Sequence, residues 1–189
     1  MTYKMIGASV LAGVLLMAPA APSGQAAVET FTATATAKGA GGAAASAPVT
    51  ITIKRKTPEA EATKLIDAFK AGGAAALRKA LVGVPPTGSV KVGAGAAVPT
   101  RVTIERVTDA GRLLTIVTDR PVLFVGAGLP GAKPKEGYDF AVIDIEVGAK
   151  GTGDGMFAPA ARLKMTDGKF VVEDYGVEAV RLTAVKQGK

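Results

Sequence analysis

Arg120, Tyr138, Asp139, Glu173, Tyr175 and Arg181 fall where strands are expected to end or loops to begin. If a sheet gathers them, arginine–carboxylate pairs and tyrosine hydroxyls would line a polar binding pocket. The plainer role for the same residues is a network that pins strand ends. Asp144 and Glu146 form a second constellation. Two residues apart on a strand, their carboxylates share one face about 7 Å apart, a spacing compatible with acid–base chemistry. The spacing suits two solvated charges on an outer face equally well, and that reading is preferred. Asp154, in Gly151-Thr152-Gly153-Asp154-Gly155, offers calcium one carboxylate where six to eight oxygens are wanted. A polar turn is the simpler account, and no metal site or catalytic residue is assigned.

Composition narrows the chemistry further. The chain has no His and no Cys. Imidazole and thiolate, the ligands transition metals prefer and the commonest base and nucleophile, are therefore missing. Beyond residue 27 the serines are Ser46 and Ser89, and neither has a His to activate it. Gly126-Ala127-Gly128-Leu129-Pro130-Gly131 spells a dinucleotide-binding glycine pattern. Its third glycine should open a helix that holds the pyrophosphate, but Pro130 and Pro134 bracket that place and a strand is expected next. Lys133 is not preceded by the glycine, nor followed by the hydroxyl residue, of a phosphate loop. No cofactor is expected.

The formal charge is +7 and the pI about 9.7, which favours anionic partners. Lys54-Arg55-Lys56 is the only triple basic run. Aromatics make up 5% and do not interleave with the charges, so the stacking platforms of a nucleic-acid binder are missing. An anionic envelope component or an apolar ligand is the expected partner.

The elements that must position these residues begin after a targeting segment. Lys4, the uncharged apolar run Met5 to Met17, and the small residues of Ala18-Pro19-Ala20 and Gly24-Gln25-Ala26 read as a secretory signal over residues 1–27. The run is short for a membrane span, so no stable span is expected after cleavage. Residues 28–56 form an amino-terminal segment. Thr and Ala alternate from Val28 to Lys38, and Val49, Ile51 and Ile53 alternate with Thr50, Thr52 and Lys54. Residues 28–38 read as a first strand or as a Thr/Ala-rich extended tail; as a strand they would form a hairpin with the second run around a low-complexity loop from Gly39 to Ala47.

A single domain is expected over 57–189. Thr57-Pro58-Glu59 reads as a helix start with a capping threonine. Ala62, Leu65, Ile66 and Phe69 make one apolar stripe and Leu77, Ala80, Leu81 and Val84 another, separated by Gly72-Gly73. Strands follow at Thr100–Thr108, Arg112–Thr118, Pro121–Val125, Tyr138–Val147, Ala160–Thr166, Lys169–Tyr175 and Val177–Lys186. Glycine loops are expected at 126–137 and 148–155. The clearest strand carries Ala141, Ile143, Ile145 and Val147 on one face and Val142, Asp144 and Glu146 on the other.

Thr118-Asp119-Arg120-Pro121, Tyr138-Asp139-Phe140, the glycines 151, 153 and 155, Glu173-Asp174-Tyr175 and Val180-Arg181-Leu182 together resemble a pattern in an uncharacterised family of secreted bacterial proteins. The resemblance spans roughly Thr57 to Lys186. That family has no assigned activity, so it implies no site and no substrate, only that the span is one unit.

The expected fold is α+β, mainly antiparallel β: six to eight strands as a sandwich or open barrel, with one helical hairpin packed on it. The expected function is an exported, periplasmic or extracellular, non-enzymatic binding or envelope-structural protein. A carrier of an apolar small molecule or lipid between sheet and helices is one alternative; an open mouth lined by Leu123, Phe124 and Phe140 would argue for it, and a sealed, alanine-lined core against it. A carboxylate-dependent hydrolase is the other.

Overall fold

The computed structural model describes residues 27–38, 44–124, 137–166, 169–174 and 180–188. The glycine pattern at 126–131, the expected signal segment before residue 27, and Tyr175 lie outside them. The strands are β1 (Glu29–Lys38), β2 (Ala44–Ile53), β3 (Gly88–Val92), β4 (Val98–Thr108), β5 (Gly111–Thr118), β6 (Phe140–Val147), β7 (Thr152–Thr166), β8 (Lys169–Asp174) and β9 (Val180–Gln187). One helix, α1 (Glu59–Val82), lies between β2 and β3.

Every pairing is antiparallel, in the order β6-β5-β4-β3-β2-β1-β9-β7-β8, and β6 also pairs with β7. That last ladder joins the ends of the array. The fold is thus a closed barrel of eight strands rather than an open barrel or a sandwich, with β8 as an outer extension of β7. Closure removes edges that would otherwise invite pairing with other chains.

Period-2 patterning fills the barrel. Phe31, Ile51, Leu114, Ile116, Ile143, Ile145, Phe157 and Leu182 point inward and are at most 1% exposed. Alanines 33, 35 and 37 supply the small inward positions of β1. An eight-stranded barrel is just wide enough for side chains to fill it. The Gly39–Ala47 loop is shorter than expected, since residues 44–47 already belong to β2. The glycines expected in a loop at 148–155 also enter a strand. Gly153 and Gly155 take inward positions on β7, where a Cβ would come within 1.7 Å of the Glu146 carbonyl oxygen and 2.3 Å of that of Asp144. Only glycine lets β7 approach β6 this closely.

Bulges re-aim side chains. Between β4 and β5 the register passes from Thr100↔Thr118 to Val102↔Val117, so Arg101 is the extra residue. In β9, Ala184 adopts a positive φ of 53° where the register against both β1 and β7 shifts. The stretch expected as a strand at Pro121–Val125 is extended chain without a ladder in its described part. Val122 and Phe124 turn into one barrel end, where Phe124 stacks on Phe157 with 6.2 Å between ring centroids. The Val122 N–H donates to the Pro159 carbonyl.

The expected helical hairpin is one helical element, interrupted at Gly72 (φ −149°) and Gly73 (φ 64°). The connectivity demands the break. Ile53 and Gly88 are paired neighbours on β2 and β3, so a chain that leaves at one must return to the other. Thr57 does not cap the helix; Pro58 holds that position without a side-chain hydrogen bond. Instead, Thr57 exchanges two hydrogen bonds with the Thr103 backbone on β4, its N–H donating at 2.8 Å and its Oγ1 accepting at 2.9 Å.

Candidate functional site: an apolar cleft under the helix

Beneath α1 the outer face of the barrel wall is apolar. Leu65, Phe69, Leu77 and Leu81 pack there against Val102, Phe140, Val142, Ala161 and Leu163. The β6–β7 register slips between Phe140↔Ala161 and Val142↔Ala158, which places Phe157 inside the barrel but Ala161 and Leu163 outside it, under the helix. Beyond that slip, β7 pairs with β8 and carries the wall past the barrel rim.

The two helical halves do not fill this space. A cavity of about 190 Å³ remains, lined by Ala62, Leu65, Ile66, Leu77 and Leu81 from the helix and by wall residues from Val102 to Val172. Thr115 is the only residue with a polar side chain on the lining, and its hydroxyl donates to Asp144 at 2.5 Å. Ile104 and Val172 form a partly open rim, 37% and 42% exposed. On size alone, an apolar cavity of roughly 150 Å³ admits a benzene ring.

Polar clamps hold the helix over the cleft. Arg55 donates to the Pro85 carbonyl at 2.6 Å and pairs with Glu61 at 3.0 Å. Arg78 on the second half of the helix reaches Asp139 at 3.1 Å. Arg101, aimed by its bulge, donates to the Val84 carbonyl at 2.8 Å and to Asp119 at 2.7 Å. Asp119, 2% exposed at its side chain, also receives Arg120 at 2.8 Å. Desolvation pushes the Asp119 carboxyl pKa up, but hydrogen bonds and charge from Arg120 and Arg101 outweigh it and hold the group below its ordinary range. Beneath these clamps lie Thr87, Thr100 and Thr103, fully buried, their hydroxyls linked in a chain at 2.9 Å per step.

The six polar residues singled out from sequence are only partly gathered. Tyr138 donates its hydroxyl to Glu173 at 2.8 Å and sits under the Arg162 guanidinium, 4.7 Å from the ring centroid. Glu173 also pairs with Lys164, and these bonds, with Lys164 first, hold its carboxyl below the ordinary range. Asp139 faces Arg78 and Arg120 faces Asp119, so both belong to the clamps. Arg181 is elsewhere, exposed on β9 beside a shallow concavity that also takes in Asp144, Glu146 and Asp154. Neither Asp144 nor Glu146 is buried; each accepts a threonine hydroxyl, from Thr115 and Thr108. The open mouth of Leu123, Phe124 and Phe140 that would argue for a carrier is not formed. Leu123 points to solvent, Phe124 fills the barrel and Phe140 lies under the helix.

Sequence reading missed a second network, which plugs the barrel end opposite Phe124. Glu29 binds Arg112 and Lys56 at 2.6 Å each, Lys56 also binds Glu105 at 2.9 Å, and Gln187 joins from β9. Arg112 stacks over the inward Phe31 ring at 5.6 Å. Glu29, Glu105, Arg112 and Gln187 continue the inward-facing positions of their strands, so polar residues where the alternation calls for apolar ones were the available signal.

Comparison with protein-family models, curated proteins and solved structures finds no match.

Proposed function

We propose that the chain is an exported, non-enzymatic binding protein whose ligand is a small apolar molecule, a single ring or a short acyl segment, held between α1 and the barrel wall. The observation that carries this reading is the 190 Å³ apolar cavity with its partly open rim. Ligand sites favour concave, mostly apolar surfaces between structural layers. The barrel interior is a poorer candidate because aromatic and branched side chains already occupy it. The break at Gly72–Gly73 gives the helix a place to flex when a ligand enters.

Export is supported by Lys4, the Met5–Met17 run and the small residues after it. The barrel carries its apolar residues inside and Thr, Lys, Asp and Glu on much of its outer wall, the reverse of a barrel that faces lipid. Among the described residues no helix is long and apolar enough to cross a membrane. The hydrolase reading has less support, since Asp144 and Glu146 lie on an open wall.

Isothermal titration of the mature chain with decanoate and with benzene tests the proposal. Saturable binding is expected, and Ala62→Trp, which fills the cavity from the helix side, should abolish it while the fold is kept. Binding undiminished in Ala62→Trp would refute the cleft as the site.

A further inference from the structure

The wall formed by β9, β1, β2 and β3 turns hydroxyl and basic side chains outward. Its outward positions form cross-strand rows. One row runs Lys186–Thr32–Thr50–Lys91 and the next Thr30–Thr52–Ser89. On the other side come Thr183–Thr34–Pro48, where proline interrupts the hydroxyls, and Arg181–Thr36–Ser46. Hydroxyls therefore stand on a grid of about 4.8 by 6.7 Å, with lysines about 14 Å apart closing the longest row. Lys54 extends the wall just past β2 and is exposed. Among the described residues of these four strands, no carboxylate faces outward, since Glu29 belongs to the inward plug. The acidic side chains Asp144, Glu146 and Asp154 gather on β6 and β7 instead, with Arg181 at the seam between the two walls.

We propose that this wall is a docking surface for an acidic polysaccharide. Lysines and Arg181 meet its carboxylates, and the threonine and serine hydroxyls between them bond sugar hydroxyls. Charge complementarity selects a polyanion. The rest of the wall selects among polyanions. Within these strands no large apolar side chain is exposed, and Val28 before β1 and Met156 beside Arg181 flank the wall singly, too little apolar surface to hold a bilayer. No aromatic side chain faces outward either, so no base has a stacking platform. The strands are also far from rigid-pocket chemistry: a regular row of hydroxyls suits a repeating polymer better than a compact ligand. This surface is independent of the cleft under α1, and either assignment stands without the other.

The test is binding of the mature chain to polygalacturonate at low salt, measured by titration calorimetry. Saturable binding that weakens with added salt is expected. Reversing Lys91 and Lys186 to Glu should weaken it by about tenfold or more, and the milder K91Q/K186Q pair should do so in the same direction. The charge-matched control K70E/K79E, on the helix, should bind as the parent does. Thr32→Ala with Thr50→Ala should weaken binding without changing its salt dependence. An equal loss in the helix control would reduce the effect to net charge and overturn the proposal. So would an absence of binding, or tighter binding to single-stranded DNA or phosphatidylglycerol vesicles than to the polysaccharide.

Discussion

Arg101 is the bulged residue of β4, and its Nε lies 2.7 Å from the Asp119 carboxylate, 18 residues along the chain. The same guanidinium holds the Val84 carbonyl just past the end of α1. The helix is thus fastened to the barrel by a half-sealed ion pair rather than by burial alone. Removing Asp119 strands a largely buried guanidinium, and breaking such a pair costs about 3–5 kcal/mol. Asp119→Ala is expected to lose stability on that order in chemical denaturation, whereas Arg120→Ala, at a 60% exposed partner, should lose far less.

Asp119, held by Arg120 and Arg101 together, also sets an acid limit. The folded-state pKa of Asp119 is depressed, so its contribution is present above the ordinary aspartate pKa of about 3.9 and is lost as pH falls through the folded value. Asp119→Asn should flatten the acid limb of the stability curve. An unchanged acid limb would show that the pair does not govern it.

The Thr87–Thr100–Thr103 chain gives a non-additive expectation. Thr87 is the middle member, bonded to both others. Thr87→Val alone strands two buried hydroxyls and should cost about 1–3 kcal/mol. Replacing all three with Val removes the polar groups together, and its cost should fall well below the sum of the three single losses.

Tyr138 offers a spectroscopic check. Its hydrogen bond to Glu173, together with desolvation and the nearby negative charge, raises the phenol above its ordinary pKa. With Tyr3 and Tyr175 replaced by Phe, ultraviolet titration should follow Tyr138 alone. Glu173→Gln is expected to move its midpoint down.

Asp144 and Glu146 should be dispensable for folding. Both lie on the outer wall, Glu146 exposed and Asp144 half-buried, and each accepts a threonine hydroxyl. Replacing both by Ala is expected to change stability by about 0–1 kcal/mol, the range for exposed charges. A loss of several kcal/mol in thermal unfolding would mean that they hold the wall together.

The alternation of β6 was legible because a wall with a dry inner face and a wet outer face writes itself in period 2, and Asp144 and Glu146 fall on the outer side as expected. Closure was not legible. It depends on β6 meeting β7 through a bulge and through Gly153 and Gly155, whose pattern reads as a loop until the neighbouring carbonyls are in place. The helix break showed as Gly72-Gly73, but Thr57 was spent on β4 rather than on a cap, a tertiary contact that no local pattern reports. Of the proposed polar site, Tyr138 and Glu173 meet, while Arg120 and Asp139 serve the clamps. The cleft lining was visible only as two apolar helix stripes, because the wall residues facing them come from five strands, β4 to β8.

We propose that a small apolar molecule lodges between α1 and the barrel wall. Methyl-resolved NMR of the mature chain during decanoate titration tests it most directly. Progressive shifts are expected at Leu65, Leu77, Leu81, Val142 and Leu163, with the barrel-interior methyls of Ile51, Ile143 and Leu182 unmoved. Shifts confined to the interior methyls, or no shifts at saturating decanoate, would contradict it.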